Sequence, residues 1–190
     1  MPDPSAVLCK KAPRFVALFG NLWYTAYQVG DRVMKQLKTV LYQLVQCTWG
    51  ILQTALGACV FVCHLRAPHR LYHGAVVTEW DARSSVSLGM FVFVTKEPYF
   101  CERLSDRFSK EELASRLLVH EYGHTVQSLI LGPLYLLIMG IPSTLWGFLP
   151  CCVRQRQQGA SYFSFFTEAW ANTLGEAVTK SVSMQQLCID

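Results

Sequence analysis

Charge is scarce in this chain. Asp, Glu, Lys and Arg make up 16% of its 190 residues, against 52% hydrophobic residues, which is less charge than an ordinary soluble domain carries. Mean hydropathy is positive, and the expectation turns towards a membrane-associated chain. The basic excess, a formal net charge of +4, is too small and too scattered to follow a phosphate backbone. With no polybasic tail either, nucleic acid is excluded as a partner. Eight cysteines are present without a single Cys-x-x-Cys pair, so no zinc knuckle is encoded. Disulfide scaffolds are short, polar and loop-rich, unlike this chain, and most of the cysteines are expected to be reduced and to act as small apolar residues. Internal repeats and low-complexity tracts are missing. No cleavable signal peptide is expected, because the first apolar run, from Phe15, meets no small-residue cleavage site before Asp31.

Charge is absent altogether from two runs, residues 39–63 and 125–153. The first is long enough to span a bilayer, which takes ~20 predominantly apolar residues. Gln43, Gln46 and Gln53 lie within it, and amides are costly in a lone span, so they are expected to face other helices. Lys35 and Lys38 before the run and Arg66 and Arg70 after it leave its orientation undetermined. The second run is interrupted by Gly132-Pro133, Gly140, Pro142, Gly147 and Pro150. Two short helices dipping into a membrane, or a broken span, fit it better than one straight span.

The rest of the chain reads as a mainly α protein with one β-hairpin, an α+β class. Residues 1–14 are polar with three prolines and are expected to be loose. Over residues 15–38 apolar residues recur at helical spacing, which suits an amphipathic helix at a membrane surface or a packed core helix. Residues 71–80 and 86–95 are rich in β-branched and aromatic residues and flank the turn-like "DARSS", which predicts a hairpin of two strands. Residues 96–109 read as a polar linker, 154–158 as a polar loop and 162–180 as a final helix.

Against this background one polar turn stands out, in "LLVHEYGHTVQS". The preceding "SKEE" is a capping box, in which Ser109 accepts from the Glu112 amide and the Glu112 carboxylate reaches back. The acidic pair also suits the positive end of the helix dipole, and "GP" stops the helix after Leu131. His120 and His124 are four residues apart and share one helix face, the arrangement for two imidazoles on one zinc ion. Glu121 beside them is placed to act on the metal's water, the His-Glu-x-x-His pattern. Zinc needs a third protein ligand. Glu168 on the final helix is the first candidate and Glu176 the second. His64, His69 and His73 offer a third imidazole, although a role in a polar loop is the simpler reading for them.

"HEYGH" followed by "EAWANTLG" resembles the membrane-bound gluzincins of the CAAX-prenyl-endopeptidase and HtpX heat-shock-protease type. Their pattern is His-Glu-x-Gly-His, then hydrophobic membrane segments, then Glu-x-x-Ala-Asp-x-x-Gly. Gly123, Glu168, Ala171 and Gly175 match it. The resemblance covers the two helices. It implies a zincin-like metallopeptidase domain over residues 65–190 with a hydrophobic insert at 125–153, preceded by amphipathic and transmembrane helices in 1–64. It also implies that His120, His124 and Glu168 bind Zn2+ and that Glu121 is the general base. The substrate would be a peptide or a membrane protein, and the chain would sit in or tightly at a membrane, in contact with lipid. Asn172 stands where the family has aspartate. It can accept the same hydrogen bond from a ligand histidine but adds no negative charge, which implies a lower metal affinity.

By the same resemblance "SLGMFVFV" is a candidate for the edge strand that holds substrate extended beside the active-site helix. An ordinary core strand is the equal alternative. Tyr162, or another tyrosine or histidine, is expected to stabilise the oxyanion. The rival reading is a non-catalytic, zinc-stabilised membrane or interaction protein, against which Glu121 argues, because a purely structural site has no need of it. A soluble helical zinc peptidase with the apolar runs as its core is a third.

Overall fold

The structure, a computed structural model, describes residues 14–97, 104 and 106–185, with side chains from residue 28 onwards. The expectation for residues 1–13 lies outside these. Contacts divide the chain into two units, Met1–Lys38 and Thr39–Asp190. The first holds the early turns of helix α1 (Arg14–Thr48). Its Val29, Val33, Met34 and Leu37 are all exposed, so these four form no packed core.

The second unit begins with the end of α1, which breaks at Trp49–Gly50 and continues as α2 (Ile51–Cys63). The uncharged run at 39–63 is therefore not one straight helix. No single described helix is long and apolar enough to cross a membrane, although two bent helix pairs meet the length and composition needed. The glutamines do face other elements. Gln46 and Gln53 are wholly buried, and Gln43 Nε2 donates to the Gly74 carbonyl at 3.1 Å.

The expected single hairpin is instead a four-stranded mixed sheet, β1 (His69–Tyr72), β2 (Ala75–Trp80), β3 (Val86–Leu88) and β4 (Phe91–Thr95), in the order β1-β2-β4-β3. Each run taken as one strand is itself a hairpin. His73 and Gly74 both have positive φ, 48° and 93°, the requirement of the tight turn that matches strand twist. Gly89, φ 61°, starts the second turn. The two runs then meet through β2 and β4, which pair in parallel. β4 is buried along its whole length. Phe91 packs on Phe61 of α2, while Val92 and Val94 join Leu113, Leu117 and Leu118 of the next helix in the core. Of "SLGMFVFV", then, β4 is an interior strand and only the β3 portion is an edge.

That next helix, α3 (Lys110–Leu131), is buried on nearly every side from Leu117 to Ser128. Ser109 caps it, accepting from the Glu112 amide at 3.1 Å. The Glu112 carboxylate does not reach back as a capping box requires; it pairs with Arg116 at 2.9 Å, one turn on. The polar linker before α3 also differs from expectation. Leu104 is buried in the core and Phe108 packs against it, whereas 98–103 and 105 lie outside the described residues.

After α3 a 3-10 turn (Gly132–Leu134) and a π-helical turn (Leu136–Gly140) lead into α4 (Ile141–Phe148) and α5 (Pro150–Gln157). Residues 154–158, expected as a loop, are thus largely helical. Pro150 opens the helix, where a missing N–H costs nothing, and Arg154 and Arg156 in its last turn suit the negative end of the dipole. A 3-10 turn (Tyr162–Ser164) precedes α6 (Phe166–Thr179), so the final helix starts later than predicted. Among the described residues five cysteines are free.

Candidate metal centre

α3 and α6 touch backbone to backbone at two glycines. A Cβ on Gly123 would lie 1.8 Å from the Ala171 carbonyl oxygen, and one on Gly175 would lie 2.2 Å from that of Val119. No other residue permits this approach. It brings the face of α3 that carries His120 and His124 against the first turn of α6, which carries Glu168.

Glu168 Oε2 lies 3.2 Å from His120 Nε2 and 3.4 Å from His124 Nε2. The three ligand atoms fall within 4.8 Å of one another and all three residues are buried. Ligand atoms on a tetrahedral metal with bonds of 2.0–2.1 Å are about 3.3–3.4 Å apart, so the two measured edges suit such an ion. The other ring nitrogens have acceptors of their own. His120 Nδ1 faces Asn172 Oδ1 at 2.9 Å and His124 Nδ1 faces Gln127 Oε1 at 2.8 Å. In its neutral form each imidazole thereby carries its proton on Nδ1 and directs the Nε2 lone pair at the common point. Glu168 is sorted in the same way. Its Oε1 accepts from the hydroxyls of Thr167, at 3.0 Å, and Ser143, and Oε2 is left for the ion. The buried His-His-Glu group can hold a metal ion.

Burial lowers the proton affinity of His124, but the neighbouring Glu168 carboxylate and its hydrogen bond outweigh this and raise the pKa to about 9. For Glu168 burial acts upwards, and the His124 charge and the hydrogen bonds from both imidazoles overcome it, holding the carboxyl well below its ordinary value. Proton and metal therefore compete for one locus.

Glu121 is buried beside the ligands on α3. The Ser87 hydroxyl, on edge strand β3, bridges its carbonyl oxygen at 2.8 Å and its Oε2 at 2.7 Å. Glu121, Glu168 and both histidines line a cleft of about 1160 Å³ whose wall is otherwise mostly apolar. Tyr135 and Tyr162 also line it, and the Tyr135 hydroxyl donates to the Ser87 carbonyl at 3.4 Å.

The remaining sequence candidates stand elsewhere. Glu176 accepts from the Ser183 amide and hydroxyl at 2.9 and 2.8 Å, which ties down the chain after α6. His64 packs against Trp80 and Phe93, His69 bonds Thr78 and His73 lies in the β1–β2 turn against Tyr72 and Tyr122. Sequence reading missed Ser87, Gln127, Ser143 and Thr167. Only Gln127 carried a signal, its place three residues beyond His124 on the same helix.

No protein-family model matches the chain, and neither a curated protein nor a solved structure matches it.

Proposed function

We propose that the chain is a zinc-dependent endopeptidase of the gluzincin type, working at a membrane. The observation that carries this reading is Glu121. A site built only to hold metal has no use for a buried carboxylate beside the ligands, fixed by Ser87 and lining the same cleft. The donor set of two imidazoles and one carboxylate is that of catalytic zinc, which keeps a position open. Zinc bound there would polarise a scissile carbonyl and acidify a water. Ser87 holds Glu121 Oε2, leaving Oε1 to take the proton of the attacking water and deliver it to the departing amine. Asn172 and Gln127 keep the imidazoles in one tautomer, and Ser143 and Thr167 keep Glu168 turned by one oxygen. β3 is the sheet edge nearest Glu121 and is the segment along which an extended peptide can pair.

Exposed apolar side chains support the membrane part of the reading. Ile51, Leu52 and Leu56 of α2 are exposed, as are Ile130, Leu134, Leu137, Ile141 and Phe148. The ring of Trp49 stands where a Cβ on Gly132 would be, so the α2 and Leu134 portions are neighbours. An uncharged surface of this kind suits the boundary of a lipid layer, entered without crossing.

The test compares wild type with Glu121→Gln for metal content and for cleavage of unfolded and membrane-protein substrates. Both should hold one zinc per chain, and only wild type should cleave. A wild-type chain purified without chelator that contains no stoichiometric metal refutes the reading. Carbonate washing of membranes tests location: the chain should stay in the pellet and leave it only with detergent.

A further inference from the structure

The geometry points to an anion subsite at Arg156, which takes a carboxylate of the peptide held in the cleft. This rests on the peptidase reading and names its substrate class: an apolar peptide bearing an acidic group near the cleaved bond.

Among the described residues, and apart from those of the metal centre, the charged side chains lining the cleft are Arg83 and Arg156, both cations. Arg156 is half-buried in the last turn of α5. Its guanidinium lies 5.6 Å from the Trp146 ring centre and 5.3 Å from that of Tyr162, and Nη2 donates to the Gly147 carbonyl at 2.9 Å. Two rings and one hydrogen bond therefore fix the group in place. No Asp or Glu pairs with it among the described ion pairs. A guanidinium has five N–H donors in a planar fork, and that fork matches a carboxylate with two parallel bonds. A cation held on an apolar wall, with no counter-charge on it among the described residues, draws an anion into the cleft.

The subsite is connected to the metal centre through aromatic rings. Tyr162 touches Phe163, with ring centres 5.2 Å apart, and Phe163 touches the His120 ring at 4.9 Å. Arg156 is thus three ring contacts from a metal ligand, a span that an extended peptide covers in a few residues. The carboxylate can come from an Asp or Glu side chain or from a free C-terminus.

Three versions of one apolar fluorescent peptide separate these sources: internal Glu with an amidated end, internal Gln with a free end, and internal Gln with an amidated end. Their binding is measured by anisotropy on the detergent-solubilised, zinc-loaded full chain. Wild type should bind at least one carboxylate peptide about 10-fold tighter than the neutral one, and the peptide that gains identifies the source. Arg156→Gln should abolish the difference between the peptides, and Arg156→Lys should keep part of it. Thermal unfolding checks that each variant is folded, and if Arg156→Gln is not, the wild-type and Arg156→Lys comparison decides. Equal binding of all three peptides overturns the subsite. So does a preference that survives in Arg156→Gln, which would place the carboxylate on the metal or on Arg83. An Arg156-dependent preference for an anionic phospholipid, with none among the peptides, overturns the peptide assignment. Carboxylate-selective binding with no cleavage of any peptide would leave the subsite standing and remove the peptidase reading; cleavage without selectivity does the reverse.

Discussion

The carbonyl oxygen of Ala171 occupies the space that a side chain on Gly123 would need, with only 1.8 Å between them. The crossing of α3 and α6 is set at this point, and with it the distance from the two imidazoles to Glu168. Neither helix can yield locally, because the obstacle is backbone and not a flexible side-chain end. Gly123→Ala is expected to force the helices apart, at a cost of about 1–3 kcal/mol or more, and to lose the metal even though every ligand is still present. Denaturant unfolding and metal analysis check this. A variant with wild-type metal content would show that the crossing does not set the site.

Asn172→Asp should strengthen metal binding and weaken the metal-free fold. Asn172 is wholly buried, accepts from His120 Nδ1 through Oδ1 at 2.9 Å and has no partner for Nδ2. An aspartate keeps the acceptor, removes the orphaned donor and adds the negative charge that usually backs a ligand histidine. Such partners shift metal affinity by about 10–100-fold, here upwards. Without the ion the same change buries a carboxylate close to Glu168, so the chelator-stripped variant should melt below wild type. Chelator competition and thermal melts with and without zinc give the two readings.

The candidate site was legible where helix geometry alone brings residues together. A spacing of four puts His120 and His124 on one face whatever surrounds them, and Gly123, Glu168 and Gly175 mark the two helices that meet. Asn172 was legible as a partner for a ligand histidine, but the hydroxyls that hold the two carboxylates, Glu121 and Glu168, were not, because they come from separate elements. Ser87 arrives from a sheet edge, Ser143 from the middle of an uncharged run and Thr167 from the start of α6, and nothing in their neighbours announces a role. The sheet was misread for a local reason. Two glycines lie inside the runs taken as strands, and each marks a turn that doubles the strand count and lets β2 and β4 pair in parallel. Polarity alone suggested a loop at residues 154–158, although Pro150 and the two arginines are helix-end signals.

Metal uptake should release a proton and strengthen with pH. His124 has its pKa raised from 6.5 to about 9, chiefly because the attraction of Glu168 exceeds the effect of burial. A ligand histidine must be neutral, so below about pH 9 binding displaces that proton, and affinity should rise about tenfold per pH unit until it levels. The metal-free chain should show the opposite slope. Stability from the raised His124 is fully present below pH 6.5 and is lost as pH rises through about 9. Stability from Glu168, whose pKa is depressed, is present above pH 4.5 and is lost only as pH falls towards the lowered value. Calorimetry in buffers of different ionisation heat counts the proton, and melts of the chelator-stripped chain from mildly acid to alkaline pH follow the stability. A metal-free chain that gains stability between neutral pH and pH 10 would contradict the pairing of His124 with Glu168.

Gln127 does two jobs that two substitutions can separate. Its Oε1 accepts from His124 Nδ1 at 2.8 Å and its Nε2 donates to the Thr167 carbonyl at 2.8 Å, one residue before the third ligand. Gln127→Leu removes both bonds. It should lower metal affinity about 10-fold or more and remove the tie between α3 and the first turn of α6, at about 0.5–1.5 kcal/mol. Gln127→Glu keeps an acceptor for His124 but sets an oxygen against the Thr167 carbonyl. It should hold metal close to wild type and still lose stability. Chelator competition and denaturant unfolding on both variants distinguish orientation of the imidazole from bracing of the two helices. If both variants lose stability equally and neither changes metal affinity, Gln127 is a strut between α3 and α6 and does not orient the ligand.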